Sequence, residues 1–536
     1  MWTTSAWALP SRKWPRCSSC PTSPRRMRSL TGSSCRRVMR DGGSMSGAVI
    51  DAAWVLSEPG RVPALANHRL TVDGERIAGL APCAEPPAGP RRLVLPTLAN
   101  AHDHARTFRN ATLGSYGLPL ETWLPHLGAM PALDPYLCAA SSLARAARQG
   151  VTDVMVHYTR VQGGMPYVEE AQAVARAAAD VGVRIGFAVA MRDRQGIAYA
   201  PDEDVLAALP AELRDVVRAR LAVKPESPKD QLARVEAVAQ ACAGSAVTVQ
   251  YGPSAVQWCS DPLLEAIAQA SADHDRPVHM HLLETKYQRD WADAAMPGGI
   301  VRHLDRLGLL SPRLTLAHCA WCRPDELALL AERGVTISVN TSSNLGLRSG
   351  IAPVAEMLRQ GCRVAMGLDG MAFDEDDDAL REMRLGYALH QGTGLDVTMT
   401  PAQLWDMAAR HGRRAVSGPA ADVPISLKPG SRADCLVLDW SALDDDALFD
   451  DVDPLHLLLA RANGRYIDTV IAGGRTLVQG GKVVSVDEAA LRAELIAQAR
   501  AALARSPETH AWRAVLPALG QALGQWYGEG RHRGCC

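Results

Sequence analysis

The chain is best understood from the stretch LVLPTLANAHDH (Leu93–His104), an apolar run that ends in two histidines separated by one residue. Alternate side chains of a β-strand point to the same side, so His102 and His104 can converge at the C-terminal end of such a strand. Two converging imidazoles can hold a metal ion. In a chain with 15 histidines such a pair also arises by chance, so its meaning depends on the residues further along the chain.

The overall composition limits the kinds of protein this chain can be. Its 536 residues, 47% hydrophobic with a formal net charge of −1, are typical of a globular protein with a large catalytic domain and a smaller one. A pI near 6.9 provides no basic field for nucleic acid or an anionic membrane, and no apolar run is long enough to span a bilayer. The 13 cysteines are scattered, which is typical of reduced thiols in a cytoplasmic protein.

Short β-like runs occur near both ends of the chain. They are separated by glycine and proline turns and occupy residues 48–95 and 425–486, which predicts one small β-sandwich built from both chain ends. Residues 487–536 predict a C-terminal helix, Ala489–Leu503, and a tail.

The first 47 residues have a different character. Residues 1–47 are rich in Arg, Ser, Pro and Cys and show no apolar period, so we expect a disordered or spuriously long N-terminal extension. A transit-type presequence and a metal knuckle at Cys17 and Cys20 are the alternatives.

Residues 96–424 alternate apolar strand-like runs with amphipathic helical runs. Eight strands, each followed by a helix, predict a (β/α)8 TIM barrel, whose active site lies at the C-terminal ends of its strands. The segment between the third and fourth strands fits this alternation least well. The predicted strands are 93–101, 152–157, 183–190, 247–251, 277–282, 313–318, 335–339 and 363–368.

Groups that can ligate a metal or transfer a proton fall at the ends of four of these strands. Because the strands of such a barrel end at one mouth, these side chains are expected to meet there. They are His102 and His104 after the first strand, His281 and Glu284 after the fifth, His318 after the sixth and Asp369 after the eighth.

With these motifs in place, the chain resembles the amidohydrolase superfamily, in the branch of cytosine deaminase, guanine deaminase and the triazine hydrolases. The resemblance covers about residues 48–490. It is carried by Pro96–His104, His281–Glu284, Leu316–His318, Asn340–Leu345, Ser349–Pro353, Gly367–Gly370 and Leu427–Asp434.

The resemblance implies one divalent metal, held by His102, His104, His281 and Asp369. Three neutral imidazoles and a carboxylate suit Zn²⁺ best and also suit Fe²⁺ or Mn²⁺, with a position left for water. The binuclear branch of the family uses a carboxylated lysine on the fourth strand, and residues 247–251 contain no lysine. Lys224 lies earlier in the chain.

The same resemblance implies the catalytic roles. The metal lowers the pKa of its water, and Asp369 accepts the proton as the water attacks an sp² carbon. Glu284 moves a proton onto the ring nitrogen or leaving group. His318 holds the water or polarises the substrate.

Residues in the loops after the strands are expected to set substrate specificity, and aromatic walls would suit a flat heterocycle. His279, two residues before His281, is expected to support the ligands by packing. The predicted substrate-binding residues are Arg106, Trp123, His157, Gln257, Trp258 and Asn340.

The sequence thus predicts a hydrolase that cleaves a non-peptide C–N bond, with deamination of a small nitrogen heterocycle as the preferred reaction. Hydrolysis of a cyclic amide, or loss of chloride or alkylamine from a triazine-like ring, are alternatives at the same site. A non-catalytic assembly protein of the same fold is a further alternative. No nucleic-acid or membrane partner is expected, while a homo-oligomer is compatible with the sequence.

Overall fold

The computed structural model describes residues 47–533, apart from 88, 160, 162, 195, 222–225, 245 and 371–373. The N-terminal extension predicted over residues 1–47 lies, except for Gly47, outside the described residues, as does Lys224. The eight described cysteines are free thiols. None of the helices in the described part of the chain combines the length and apolar character needed to cross a membrane.

Eighteen strands form two large sheets and one short hairpin in the described residues. In chain order, β1–β18 are Ala48–Val55, Leu65–Asp73, Arg76–Pro82, Arg92–Pro96, Leu98–Asp103, Val151–Tyr158, Arg184–Met191, Val247–Pro253, Val278–Leu282, Leu314–His318, Thr336–Val339, Arg363–Met366, Gly392–Thr393, Asp396–Val397, Cys435–Asp439, Ile467–Ala472, Arg475–Gln479 and Lys482–Val483.

Most of the α-helices connect the strands of one sheet. In chain order, α1–α20 are Asn110–Leu113, Leu120–Trp123, Pro135–Arg148, Tyr167–Val181, Asp202–Ala208, Ala211–Leu221, Pro228–Ala241, Asp261–His274, Lys286–Ala295, Ile300–Arg306, Pro324–Glu332, Thr341–Gly346, Val354–Arg359, Ala379–His390, Pro401–Trp405, His411–Ser417, Trp440–Leu443, Pro454–Arg461, Glu488–Ala504 and Pro507–Gly528.

Strands β5–β12 follow one another in chain order in an eight-stranded parallel sheet. Strand β6 is buried along its whole length, as expected for a parallel strand covered on both faces. The first and eighth strands meet at the mouth of the barrel, where the backbone N–H groups of Leu368 and Asp369 donate to the carbonyl oxygen of His102 at 3.2 and 2.9 Å. The predicted (β/α)8 barrel is therefore confirmed.

The stretch Leu93–His104 contributes to two sheets rather than one. Strand β4 ends at Pro96 and pairs with β1 and β15, whereas β5 begins at Leu98 and pairs with β6. The predicted first strand, 93–101, was wrong at its start. Proline lacks the backbone N–H needed to continue a sheet interior, so Pro96 marks the boundary.

The second sheet draws its strands from both ends of the chain, as predicted. Its order is β18-β17-β16-β15-β4-β1-β2-β3. The edge strand β3 is also bonded to the segment that leads into β15, because Ile77 N donates to Ser431 O and Gly430 N to Ile77 O, both at 2.8 Å. The two ends of the chain thereby share one hydrophobic core.

The C-terminal segment contains a long helix where the sequence predicted a tail after its first helix. Helix α20 follows α19 and buries an apolar stripe against α5 and α6. The stripe has alternating spacings of four and three residues, which is the period of one helix face. Its members are Trp512, Leu516, Leu519, Leu523 and Trp526.

Candidate active site

The predicted metal ligands meet at the C-terminal mouth of the barrel. The Nε2 atoms of His102 and His104 lie 3.4 and 3.2 Å from Oδ1 of Asp369. His281 Nε2 lies 3.5 Å from His104 Nε2. His318 Nε2 is 3.9 Å from the second carboxylate oxygen of Asp369. Four strands separated widely along the chain therefore bring five ligand-type side chains to one point.

Hydrogen bonds on the outer side of the rings fix which nitrogen faces this point. His104 Nδ1 donates to the carbonyl oxygen of His157 at 2.8 Å, and His281 Nδ1 donates to the carbonyl oxygen of Ser254 at 2.6 Å. A ring that donates from Nδ1 keeps an unprotonated Nε2. Both imidazoles are thus held in the tautomer and orientation that metal ligation needs.

His102 is supported by another histidine. His102 Nδ1 lies 2.7 Å from Nε2 of His279, and the two rings are stacked with centroids 5.0 Å apart. His279 is completely buried. It contacts His102 and is not among the described ligand-type groups that cluster together, and its supporting role stays a prediction.

Asp369 is held from three sides. Ser343 Oγ donates to its Oδ2 at 2.6 Å, and Arg106 donates to its backbone carbonyl at 2.8 Å. Burial would raise the pKa of the Asp369 carboxyl, but the Arg106 guanidinium, whose Nη2 lies 3.7 Å from Oδ1, acts in the opposite direction, and the pKa lies well below its usual value. The carboxylate is therefore ionised and available as a ligand. The backbone of Asp369 lies in the left-handed region, with φ of 47°. Strained conformations of this kind are frequent at functional sites.

The arrangement fits a divalent metal ion. His102 Nε2 and Asp369 Oδ1 are both buried without a hydrogen-bond partner, an arrangement that costs free energy unless a ligand satisfies them. The ligand atoms of His102, His104 and His281 lie within 4.8 Å of one another, as do those of His102, His318 and Asp369. Imidazole nitrogens with one carboxylate are a donor set typical of Zn²⁺.

The buried histidines make the stability of the metal-free protein depend on pH. Burial lowers the pKa of His102 to about 4 and that of His281 well below its usual value, whereas in the unfolded chain both protonate near about pH 6.5. At these two histidines the unfolded state binds more protons between these values, so we expect their contribution to stability to fall as the pH falls from 6.5 towards 4. Thermal unfolding should show this contribution as a difference of up to about 1.4 kcal/mol per pH unit between the pH slopes of metal-free wild-type protein and of His281→Ala.

The control for this prediction is His456→Gln, which replaces an exposed histidine and is expected to keep the same slope. The same pH slope in metal-free wild-type protein and in His281→Ala between pH 6.5 and 5 would contradict the buried, neutral state of this imidazole. The comparison is needed because the raised carboxyl pKa values of Glu284 and Glu382 act in the opposite direction in both proteins.

Glu284 lies beside the cluster without joining it. Its Oε2 is 3.6 Å from His318 Nε2, and its Oε1 accepts a hydrogen bond from Ser349 Oγ at 3.2 Å. Burial raises the pKa of the Glu284 carboxyl to about 7, although the nearby His318 opposes this shift. A carboxyl group that titrates near neutral pH is suited to both donating and accepting a proton.

A cavity of about 310 Å³ opens onto these groups. Of the predicted substrate-binding residues, Arg106, Trp123 and Trp258 line it. The Arg106 guanidinium stacks on the Trp123 ring, 4.6 Å from its centroid. The cavity thus combines reactive groups with flat aromatic surfaces.

The other three predicted substrate-binding residues are not among the described residues that line this cavity. His157 is buried among the ligand rings, with its ring centroid 4.8 Å from that of His281. Asn340 is completely buried at the end of β11, where its Nδ2 faces His318 Nδ1 at 3.3 Å. Gln257 has a buried Nε2 without a hydrogen-bond partner.

Three polar residues that support the site were assigned no role from the sequence. Ser343 bonds to Asp369, Ser349 bonds to Glu284, and Asn344 Oδ1 lies 2.9 Å from His318 Nδ1. All three belong to the segment after β11. The polar run Asn340–Asn344 was the signal available in the sequence, but which of its members faces the site depends on how α12 is oriented.

Comparison with known proteins identifies relatives over most of the chain. A family model described as the amidohydrolase family matches residues 93–477. A 5-methylthioadenosine/S-adenosylhomocysteine deaminase of Desulfovibrio desulfuricans is 30% identical over 462 residues, which cover 83% of this chain and 96% of the relative. A 5'-deoxyadenosine deaminase of Methanothermobacter thermautotrophicus is 29% identical over 445 residues, covering 81% and 91%.

A solved structure shares the fold. The adenosine deaminase from Xanthomonas campestris with bound zinc superposes with a TM-score of 0.65 over 85% of this chain and 98% of its own, at 24% sequence identity. At this level of identity the similarity concerns the fold.

Proposed function

Because the chain belongs to the amidohydrolase family, we propose that it is a metal-dependent hydrolase that deaminates a nitrogen heterocycle. The observation that carries this proposal is the meeting of His102, His104, His281 and Asp369 beside Glu284 and His318 in one cavity. The curated relatives named as deaminases, which align over most of their own length, support the same reaction class.

The ion is proposed to be a single Zn²⁺ held by His102, His104, His281 and Asp369. The donor set supports this choice, and a structural neighbour carries zinc. When bound, the metal supplies Lewis acidity that makes a water molecule nucleophilic near neutral pH.

The protein's own groups then move protons and orient the substrate. Asp369, ionised and adjacent to the ligand imidazoles, accepts the proton of the attacking water. Glu284, whose carboxyl has a pKa of about 7, delivers a proton to the ring nitrogen and regains one from the oxygen that has added to the carbon. The proton accepted by Asp369 leaves with the amine as ammonia. His318, whose Nδ1 donates to Oδ1 of Asn344, keeps an unprotonated Nε2 that can accept a hydrogen bond from the attacking water and hold it.

The substrate is proposed to be an adenine nucleoside altered at its 5' position. The relatives are named for 5'-deoxyadenosine and 5-methylthioadenosine, and the cavity of about 310 Å³ lies within the size range of small-molecule sites. Trp258 offers a flat wall against which a purine can stack. Trp123 is buried and holds the Arg106 guanidinium on its ring face.

Ammonia release tests this proposal. We expect zinc-loaded protein to release one equivalent of ammonia from 5'-methylthioadenosine or 5'-deoxyadenosine, and metal-free protein to release none. The panel also includes guanine, a cyclic amide and a chlorotriazine. Turnover of the last two without any deamination of the nucleosides would contradict the proposal and support the alternative leaving groups.

A further inference from the structure

Two helical segments that are not part of the repeating barrel pack on each other at the side of the cavity. Helix α20, near the C-terminus, lies beyond residues 93–477, which the family model matches. Helices α5 and α6 belong to the long connection between β7 and β8. We call these three helices the accessory module. They share one buried apolar cluster, separate from the main core.

The accessory module holds α20 in a fixed position. Leu516, Leu519 and Leu523 of α20 are buried in the cluster with Leu213 and Val217 of α6. At the end of α20, the Tyr527 ring packs edge-on against Tyr199, with centroids 5.4 Å apart. The burial of these apolar side chains stabilises the position of α20. Helix α20 is therefore an ordered part of the cavity wall.

Trp512 connects the accessory module to the cavity. It is 4% exposed, and its indole Nε1 donates to the carbonyl oxygen of Pro125 at 2.9 Å. A Cβ atom at Gly128 would come within 2.6 Å of the same nitrogen, so the close approach of the indole requires glycine there. The ring is therefore fixed by contacts on the barrel side.

The wall that the accessory module contributes belongs to the cavity of the candidate active site. Trp512 of α20 and Arg220 and Leu221 of α6 line the same cavity as Glu284 and Asp369. The Arg220 guanidinium stacks on Trp512 at 5.2 Å from the ring centroid and donates to the carbonyl oxygen of Gly128. The Arg220 side chain is exposed, so this part of the wall presents an aromatic ring beside a guanidinium.

We propose that the accessory module determines substrate specificity, with Trp512 contacting an apolar substituent that the heterocycle carries away from its reacting carbon. The inference rests on the proposed deamination. Binding between an indole and a thioether or alkyl group is favourable, whereas a hydroxyl finds no hydrogen-bond partner on Trp512, whose Nε1 is already bonded to Pro125. Trp512 acts on binding of the substituent and takes no part in proton transfer.

The test compares Trp512→Ala with wild-type protein on 5'-methylthioadenosine and adenosine, which differ in the 5' substituent. We expect kcat/KM for 5'-methylthioadenosine to fall about tenfold, mainly through a higher KM, because a contact equal in ground and transition states leaves kcat unchanged. For adenosine the change should stay within about twofold. Equal losses on both substrates would overturn the inference.

Trp526→Ala provides a matched control, because Trp526 is buried on the same helix and in the same cluster but is not among the described residues that line the cavity. It is expected to lower the melting temperature and keep the wild-type ratio of the two kcat/KM values. If Trp512→Ala does not fold, Trp512→Phe decides, with a smaller shift of the ratio in the same direction expected and an unchanged ratio contradicting the inference. Wild-type protein inactive on both nucleosides would overturn the proposed function itself, and the inference with it.

Discussion

Replacing Glu284 with glutamine is expected to lower kcat by about 10²- to 10⁴-fold while the metal content stays at the wild-type level. The amide has nearly the same shape but cannot carry the proton, and the Glu284 carboxylate lies 3.6 Å from His318 rather than among the ligand atoms. Ammonia release and metal analysis of the same preparation measure the two effects separately.

Glu382→Gln is the matched control for this variant. Glu382 is also a buried glutamate whose carboxyl pKa burial raises to about 7, but it accepts a hydrogen bond from the backbone N–H of Ser342 and is not among the described cavity-lining residues. We expect a much smaller loss of kcat. If Glu284→Gln turned over substrate at the wild-type rate, the assignment of proton transfer to Glu284 would be wrong.

The His281→Ala variant is expected to lose metal and activity together. Removing a residue that merely orients a ligand typically costs 10- to 100-fold in metal affinity, so removing a direct ligand should cost more than about 100-fold. His279→Ala provides the graded comparison, because His279 contacts His102 without facing the cluster and should fall within the smaller range. Metal titration of the two variants and of wild-type protein measures this order.

If His281→Ala bound metal as tightly as His279→Ala, His281 would not be one of the metal ligands. Parallel loss of metal and of ammonia release, restored together by excess zinc, is the behaviour expected of a ligand.

The barrel and the ligand cluster could be predicted because each depends on short-range sequence patterns. Apolar runs marked seven of the eight barrel strands closely, and the parallel arrangement alone sends their C-terminal ends to one mouth. His102, His281, His318 and Asp369 needed no further information to be expected near one another. The resemblance of the neighbouring motifs to the amidohydrolase superfamily supplied their roles. Distances, such as the 3.2 Å between His104 Nε2 and Asp369 Oδ1, came only from the structure.

Features that depend on the direction of individual side chains were predicted less well. Asn340 was expected on the cavity wall; its side chain faces His318 and is not among the described residues that line the cavity, so its contact with substrate stays a prediction. The chain leaves one sheet after β4 and enters the other at β5, on either side of Thr97. This division depends on which strands are available for pairing, β15 for β4 and β6 for β5. The apolar stripe of helix α20 can be recognised in the sequence. The position of Trp512 at the cavity, in contrast, is known only from the structure.

The most direct test of the proposed metal centre is the anomalous scattering of zinc in crystals of active protein. We predict a single peak per chain within about 2.0–2.2 Å of the Nε2 atoms of His102, His104 and His281 and of Oδ1 of Asp369. A peak at any other place, or crystals of fully active protein without a peak there, would contradict this assignment.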